Sequence, residues 1–254
     1  YNYGAYFYYY NLVDSIVGNK IHLSVNYSYS GMRIYYYINQ RSTFGSETEP
    51  VLVANNEIIC NGTTYAYGIY TYYANANIIN NSIYCNANTN YAMYVGNQNA
   101  NGDLTVMNNI FMTENGATNN YMMYVTAAAT VNGSYNTLFN YNDYYTTSRS
   151  SIYYVAANKT YADWRSTYGM DGKSVQVNPR FANLPYDLSI VDFSDTLKCN
   201  RSKVVKCDIN NDERTSLTIM GCYSTRLFEG YNLEAELFVE PEVGGVQCYP
   251  NSTP

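Results

Sequence analysis

The sequence predicts an all-β fold, a parallel β-solenoid whose coils stack on one another and end in irregular closing strands. Three observations predict it: short runs recur over the first 158 residues, strand and turn residues dominate, and no 3.6-residue apolar period marks helical repeats. Charged residues make up only 13% of the 254-residue chain, whereas tyrosine alone contributes 33 residues. Tyrosine favours strands, and asparagine, serine and threonine favour turns, so few helices are expected.

Two short runs recur in each period. In the first, an asparagine is followed two residues later by isoleucine or leucine; in the second, further on, an apolar residue precedes a tyrosine. The asparagines of the first run are 37, 25, 27 and 28 residues apart, at Asn19, Asn56, Asn81, Asn108 and Asn136. A propeller blade needs four strands in about 40 residues, which is too long for these periods. A solenoid with two short strands per period fits best.

In a solenoid, equivalent residues of successive coils lie above one another, about 4.8 Å apart. Asparagine tolerates left-handed backbone angles at a turn, and its amide can hydrogen-bond its counterpart one coil away. We therefore expect the five asparagines to form a ladder at one turn. The apolar residues stacked inside this turn are expected to be Ile58, Ile83 and Ile110.

Two cysteines fall in register a few residues later. Cys60 and Cys85 are expected to point inward with Met112 in the same column, because these residues are small or soft and apolar. Packing as buried thiols is the favoured interpretation. A disulfide between coils is the alternative, since the strand spacing is near the short end of disulfide geometry.

The tyrosine of each second run is expected to point outward, because it follows an apolar core residue and side chains alternate along a strand. The predicted aromatic strip consists of Tyr8, Tyr35, Tyr70, Tyr94, Tyr124 and Tyr154. Such a strip could bind a glycan or a protein surface through ring stacking and hydroxyl hydrogen bonds. The alternative is that the rings only stack between coils and stiffen the solenoid.

The composition changes near Lys159. Residues 1–158 hold 11 charged residues and 27 tyrosines, whereas residues 159–254 hold the other 23 charged residues and 6 tyrosines. The net charge of −6 argues against nucleic-acid binding, which needs clustered lysine and arginine. No run of 18 apolar residues is present, so no membrane insertion is expected. No charged-then-apolar leader precedes Tyr1, and any export signal is expected to lie outside this sequence.

Several segments carry a resemblance. The units "NNEIICN", "INNSIYCN" and "MNNIFMT", each followed by a run such as "YGIYTYY", resemble right-handed parallel β-helix repeats of secreted Bacteroidetes surface proteins. The segment "YADWRSTYGMDGKSVQVNPRFAN" resembles the closing coils of that family, where a short helix with a tryptophan precedes a Gly-x-Asp turn. "CDINNDERTSLTIMGCYS" is similar to its terminal motif, and "NLEAELFVEPEVGGVQCYPNSTP" resembles the first strand of an immunoglobulin-like module.

The resemblance implies three parts: β-helix coils over residues 1–158, closing coils and a cap over 159–226, and the start of a truncated immunoglobulin-like module over 227–254. It implies a large, exported, adhesin-like protein at the cell surface, carried by the type IX secretion pathway and continuing into further domains. Ser15 and Thr196 lie in Asp-Ser/Thr-hydrophobe triplets that are similar to the O-glycosylation signal of such exported proteins. The fold itself implies no fixed activity.

The residues give catalysis little support. A β-helix lyase or hydrolase needs carboxylates grouped on one face, and no two acids of the repeats share a column. The single histidine, His22, is expected to point outward as an ordinary surface residue. Asp208 opens a loop similar to an EF-hand, but Glu213 stands where the turn needs glycine and Ile219 where the bidentate glutamate belongs. No metal and no cofactor are expected.

The remaining cysteines lie in the charged C-terminal part. In an exported protein they indicate disulfides, and Cys199 with Cys207 or Cys207 with Cys222 are the candidate pairs. Cys248 lies in the truncated module and its partner is left open.

These observations predict a non-catalytic structural and adhesive segment of a long extracellular protein. The first alternative is a polysaccharide-active β-helix enzyme, a lyase or hydrolase, which a groove with converging acids and a base would reveal. The second is a subunit of a self-assembling extracellular filament, which exposed solenoid ends stacking coil on coil would reveal.

Overall fold

The protein is a parallel β-helix, as the sequence predicts. A computed structural model describes residues 2–8, 15–26, 29–35, 50–96, 103–115, 119–127, 130–131, 136–147, 153–155, 157–192 and 194–224. A leading strand is followed by five coils, and each coil contributes one strand to each of three sheets, A, B and C. The sequence pattern predicts only two strands per period, so one strand of each coil was missed.

Sheet A is the longest of the three. Its strands are parallel except for the last, which is antiparallel to its neighbour. They are β1 (Asn2–Tyr8), β4 (Tyr29–Tyr35), β7 (Tyr65–Tyr72), β10 (Thr89–Val95), β13 (Asn119–Val125), β16 (Tyr153–Val155) and β17 (Asn158–Lys159).

Sheets B and C contain five parallel strands each. Sheet B holds the missed strands, which are only three or four residues long: β2 (Ser15–Val17), β5 (Val51–Ala54), β8 (Ala76–Ile79), β11 (Leu104–Met107) and β14 (Thr137–Asn140). Sheet C follows after a two-residue turn and contains β3 (Lys20–Val25), β6 (Glu57–Gly62), β9 (Ser82–Asn86), β12 (Ile110–Glu114) and β15 (Asp143–Thr146).

An asparagine ladder runs along the turn between sheets B and C. In each rung, the backbone N–H and the side-chain Nδ2 of one asparagine both donate to Oδ1 of the asparagine one coil further on. Both groups of Asn56 reach Asn81 Oδ1, at 3.0 and 2.9 Å, and both groups of Asn81 reach Asn109 Oδ1 at 2.9 Å. The complete ladder is Asn19, Asn56, Asn81, Asn109 and Asn142. It satisfies amides that burial would otherwise leave without partners.

Two of the five asparagines predicted for this ladder lie elsewhere. Asn108 precedes the ladder residue, has a left-handed φ of 59°, and donates from Nδ2 to the carbonyl oxygen of Asn200. Asn136 is exposed and donates to Asp103 Oδ1 at the other end of sheet B. In three rungs the ladder residue is the second of an Asn-Asn pair, and counting from the first residue of the third pair shifted the predicted register by one. Asn136 lies six residues before the true rung, Asn142.

The same shift affects the predicted isoleucine column. Ile58 and Ile83 are register partners and are fully buried, but the next member is Phe111 and not Ile110. Ile110 points to the opposite side of sheet C, where it packs against Leu197. The column therefore widens from isoleucine to an aromatic residue as the solenoid proceeds.

The predicted cysteine column needs the same correction. Cys60 and Cys85 are register partners and lie in the solenoid core as free thiols, but Cys85 faces Thr113 and not Met112. Met112 lies on the outer side of sheet C. The two thiols therefore pack in the core and form no disulfide.

A short helix covers the end of the core after the fifth coil. Helix α1 (Tyr161–Tyr168) starts with a capping box between Thr160 and Asp163 and ends at Gly169, whose φ of 66° suits a glycine. Its one buried residue, Trp164, packs edge-on against Phe139 of the last coil, with ring centroids 5.8 Å apart.

The asparagine ladder ends beneath this helix at a buried carboxylate. At the position of the next rung, Ser174 Oγ replaces the asparagine oxygen and accepts a hydrogen bond from the backbone N–H of Asn142 at 2.8 Å. The same hydroxyl donates to Asp171 Oδ1 at 2.5 Å, and Trp164 Nε1 donates to Asp171 Oδ2 at 2.7 Å. Burial raises the pKa of Asp171, although these donors oppose the shift.

The chain then returns along the outside of the solenoid as a closing segment, defined here as residues 181–224. It contains β18 (Phe181–Asn183), β19 (Asp187–Ile190), a 3₁₀ helix (Asp195–Leu197), β20 (Lys198–Asn200) and β21 (Leu217–Ile219). Leu188 and Cys222 pack on the outer side of sheet C against Ile59, Tyr84 and Met112.

The first residue of each Asn-Asn pair holds the closing segment in place. These outer asparagines, Asn55, Asn80 and Asn108, all have left-handed φ angles and donate from Nδ2 to carbonyl oxygens of the closing segment. The acceptors are Cys207, Gly221 and Asn200, at 2.6, 3.3 and 2.9 Å.

A fully buried arginine reinforces this contact. Arg214 donates to Asn55 Oδ1 at 3.0 Å and to the carbonyl oxygens of Gly221 and Ile219 at 2.8 and 3.2 Å. These three acceptors are uncharged amide and carbonyl oxygens. The buried positive charge of the guanidinium is thus stabilised by hydrogen bonds to the negative ends of these dipoles.

Neither of the two disulfide pairings predicted for this segment forms, although Cys207 itself is disulfide-bonded. Cys199 and Cys222 are free thiols, so neither Cys199 with Cys207 nor Cys207 with Cys222 is bridged. Burial raises the pKa of both free thiols to about 12. They remain protonated and act as small apolar residues in separate clusters.

Candidate binding face

Two columns of tyrosine cover the outer side of sheet A. In β7, Ala66 and Thr71 are buried while Tyr67 and Tyr70 are partly exposed. The two residues between these tyrosines, Gly68 and Ile69, are both buried, and this break in alternation puts tyrosines three residues apart on one face. The pattern recurs in β10 and β13.

The columns follow from the register of the parallel strands. The first column is Tyr67, Tyr91 and Tyr121, and the second is Tyr70, Tyr94 and Tyr124. We call these six residues the tyrosine face. All are partly exposed except Tyr121, which is buried and donates from its hydroxyl to Asn158 Oδ1 at 3.1 Å.

Within each column the rings stack face to face. Ring centroids are 4.4 Å apart for Tyr70 and Tyr94 and 5.0 Å for Tyr94 and Tyr124, with interplanar angles of 8° and 10°. In the first column, Tyr67 and Tyr91 are 4.6 Å apart at 7°. A ring inside a stack has both faces covered by its neighbours, so it offers its edge and hydroxyl to the surroundings.

Between the columns the rings meet edge to face. Tyr91 and Tyr124, on neighbouring coils, have centroids 5.1 Å apart and planes at 87°. Tyr67 and Tyr94 repeat this contact one coil earlier, at 5.6 Å and 72°. Stacked and edge-to-face pairs are the favoured geometries for aromatic rings, so the tyrosine face is a tightly held array.

An arginine continues the second column toward the N-terminal end. Arg33 is the register partner of Tyr70, and its guanidinium lies 4.3 Å from the centre of that ring. Arg33 also lies over the rings of Tyr3 and Tyr6 and donates to the Tyr3 hydroxyl at 3.1 Å. One end of the array therefore carries a positive charge.

The phenols of the array are held in their neutral form. Burial raises the pKa of Tyr91 and Tyr94 well above the ordinary value of 10.0, and the neighbouring tyrosines raise both further. Burial also raises the pKa of Tyr70, while the positive charge of Arg33 opposes the shift. At neutral pH the array thus presents uncharged hydroxyls.

The structure brings together half of the predicted aromatic strip. Tyr70, Tyr94 and Tyr124 form one column, and the backbone of Tyr154 continues it. Tyr8 and Tyr35 are register partners of each other, but the register partner of Tyr35 on the next strand is Tyr72 and not Tyr70. The side chains of Tyr8, Tyr35 and Tyr154 lie outside the described residues. The sequence-based strip mixed two columns because the spacing between coils 1 and 2 was read as shorter than it is.

A second polar cluster lies where the closing segment meets sheet C. The buried Glu57 accepts from the Tyr223 hydroxyl at 2.6 Å and the Leu188 N–H at 3.2 Å, and lies 2.6 Å from His22 Nε2. Lys20 Nζ donates to the Tyr223 hydroxyl at 2.8 Å. Both Glu57 oxygens are occupied by groups of the protein. Sequence reasoning missed this cluster because Tyr223 and Leu188 arrive from a distant part of the chain.

The loop at Asp208 is a turn whose carboxylate is filled by protein donors. Its Oδ1 accepts the N–H groups of Asn210 and Asp212 at 2.8 and 3.0 Å, and its Oδ2 accepts the N–H and hydroxyl of Ser224 at 2.8 and 3.0 Å. Across the part of the chain that the structure describes, no three histidine, cysteine, aspartate or glutamate residues are grouped to hold a metal ion.

The two residues in glycosylation-like triplets are both accessible. Ser15 begins β2 and Thr196 lies in the 3₁₀ helix, and both are exposed. Their modification remains a prediction. Among the described residues, no helix has the length and apolar character needed to cross a membrane.

Comparisons with known proteins do not assign this chain to a family. No protein-family model, no curated protein and no solved structure matches the chain. The parallel β-helix is therefore the extent of the likeness that the structure supports, and any function has to be argued from the tyrosine face itself.

Proposed function

We propose that this chain is a non-catalytic structural and adhesive segment of a large exported cell-surface protein of the Bacteroidetes adhesin type, and that the tyrosine face is its binding surface. The observation that carries the proposal is the double column of tyrosines on the outer side of parallel sheet A, five of which are partly exposed. Tyrosine is enriched at binding surfaces because one side chain combines an apolar body with a polar tip.

A neutral glycan is the ligand that this face favours over a protein. The central rings are stacked on each other, so a ligand meets ring edges and a grid of hydroxyl groups. Uncharged hydroxyls that both donate and accept hydrogen bonds complement the hydroxyls of a sugar chain. Since the six tyrosines themselves are uncharged, binding to their hydroxyls is expected to change little with salt concentration.

The test is binding of the purified chain to a panel of neutral and acidic polysaccharides, with wild type compared with Tyr70→Phe/Tyr94→Phe/Tyr124→Phe. Phenylalanine keeps the ring stack and removes only the hydroxyls, so the fold is retained. We expect the triple variant to lose binding to neutral polysaccharides. The matched control is Tyr186→Phe, which removes a hydroxyl from a tyrosine that is 70% exposed in the closing segment.

Unchanged binding by the triple variant would contradict the proposal. Wild-type binding to protein-coated surfaces but not to glycans, lost in the triple variant, would assign the face to a protein partner. The harsher variant Tyr70→Ser/Tyr94→Ser/Tyr124→Ser removes the rings as well, and comparing the two variants separates the hydroxyls from the stack.

The geometry favours binding over catalysis. The best-placed acid, Glu57, is buried and has both oxygens engaged, so it is not free to act on a substrate. Incubation of the chain with the same polysaccharides, with and without calcium, should release no oligosaccharides. Release that disappears in Glu57→Gln would instead support the lyase or hydrolase alternative.

The filament alternative receives less support than the adhesive one. Trp164 of helix α1 covers the C-terminal end of the core, where the next coil of a filament would have to stack.

A further inference from the structure

We propose that the tyrosine face is also a site of oxidative cross-linking, in which Tyr91 and Tyr124 join through a carbon–carbon bond. The proposal goes beyond binding, because it concerns a covalent modification that fastens one coil to the next. It needs a one-electron oxidant, for which a haem peroxidase with hydrogen peroxide is the chemical class. It does not depend on any ligand of the face.

Among the edge-to-face pairs described in the array, Tyr91 and Tyr124 have the shortest centroid distance and the planes closest to perpendicular. In the product, the new bond lies in the plane of both rings. Face-to-face pairs such as Tyr70 and Tyr94, at 8°, have neither ring plane directed at the partner. Tyr91 and Tyr124 stand at 87° with centroids 5.1 Å apart, so one ring already directs its edge at the other. Only one ring has to turn.

Access and proximity both favour reaction within the molecule. Tyr91 and Tyr124 are partly exposed, so electrons can pass to an oxidant in solution. The two rings belong to strands β10 and β13, which are hydrogen-bonded in register. Groups held in contact react at an effective concentration on the order of millimolar or more, well above that of separate molecules in a dilute sample.

The step balances as follows in electrons and atoms. Each tyrosine gives one electron and its phenolic proton to the oxidant and becomes a phenoxyl radical. The two radicals form one bond between the ring carbons ortho to their oxygens, and the hydrogen on each of these carbons moves to the oxygen and restores the phenol. Two tyrosines thus lose two hydrogen atoms, and hydrogen peroxide takes them up to give two waters.

The experiment treats the purified chain with peroxidase and hydrogen peroxide at low protein concentration. We expect dityrosine fluorescence in a species that still migrates as a monomer. After digestion, mass spectrometry should find the peptides of Tyr91 and Tyr124 joined, lighter by two hydrogens than their sum. In Tyr124→Phe, which keeps the ring, this product should be absent, and in denaturant it should be lost from the wild type.

Exposure alone would give a different product. Tyr186 is 70% exposed and has no described ring in contact. If exposure alone decided which tyrosines react, Tyr186 would react and join two molecules into a covalent dimer. Dimers without the internal link would overturn the proposal. So would an internal link confined to other tyrosine pairs, or one that persists in Tyr124→Phe. Failure of polysaccharide binding would leave the proposal standing, because the cross-link needs only the folded array.

Discussion

The asparagine ladder should be the most sensitive part of the solenoid, and Asn81 at its centre is the residue to remove. Its Oδ1 accepts the N–H and Nδ2 of Asn56, and its Nδ2 donates to Asn109 Oδ1 and to the Val53 carbonyl, all at 2.9–3.0 Å. Asn81→Ala removes these four bonds from a site with 0% exposure. At about 1 kcal/mol for each buried bond, unfolding should become easier by about 4 kcal/mol.

Partial compensation keeps the loss from being larger. Asn56 Nδ2 still donates to the carbonyl of Ile16, and Asn109 Oδ1 still accepts the backbone N–H of residue 81. The backbone N–H of Asn56 has no such substitute and is left buried without an acceptor. A domain of ordinary stability, about 5–15 kcal/mol, would lose a large share of it.

Two asparagines outside the ladder provide the controls. Asn136→Ala removes one hydrogen bond between exposed groups and should cost less than about 0.5 kcal/mol. Asn108→Gly removes one bond to the closing segment but suits the left-handed φ, so it should cost about 1 kcal/mol. Asn109→Ala, one residue away, should match Asn81→Ala.

Urea denaturation followed by far-ultraviolet circular dichroism gives the free energy of unfolding of each variant. The reasoning would be refuted if Asn81→Ala and Asn136→Ala had the same midpoint, or if Asn108→Gly were as damaging as Asn109→Ala. Slopes equal to that of the wild type would show that the variants unfold by the same transition.

Three further substitutions test other parts of the structure. Gly68→Ala would put a methyl group 2.3 Å from Ile83 Cγ2, so it should destabilise the chain by about 1–3 kcal/mol, and a thermal midpoint equal to that of wild type would contradict the packing. Burial raises the pKa of Asp143 well above its ordinary 3.8, so the folded state holds this proton more tightly and stability should fall as the pH rises from about 4. In Asp143→Asn, the urea midpoint should decrease less with rising pH than it does in the wild type. Arg214→Met should loosen the closing segment, seen as faster hydrogen exchange there than in the coils; uniform exchange would argue against its role as a clamp.

The sequence was sufficient for the architecture because stacking repeats the same residues at equivalent positions. Asn56 and Asn81 were placed correctly, since the pairs in "NNEII" and "NNSIY" start two identical turns. The spacing to the next rung is 28 residues and the one after is 33, because the intervening loops differ in length. A count of residues cannot follow such changes, whereas an alignment on the whole Asn-Asn pair would have found Asn109.

The tyrosine face was harder to predict for a different physical reason. Simple alternation predicts outward residues two apart, but the buried pair Gly68–Ile69 separates Tyr67 from Tyr70 by three. A whole column, Tyr67, Tyr91 and Tyr121, was therefore missed, although its residues recur at the spacing of the predicted one. Contacts of the closing segment were beyond sequence reasoning, because they join residues far apart that share no repeat.

The outer asparagines also have a consequence for how the chain reaches this fold. Asn55, Asn80 and Asn108 bind carbonyl groups that follow them by 152, 141 and 92 residues, so these bonds belong to the slowest class of contact to form. The three carbonyls can be matched only when three successive coils already stand in register. In a coil whose register is shifted by one residue, a ladder asparagine or another residue would take the place of the outer asparagine. The closing segment would then lack one of its three hydrogen bonds. The closing segment follows the coils in the sequence, so we expect it to dock only on coils that are already stacked correctly.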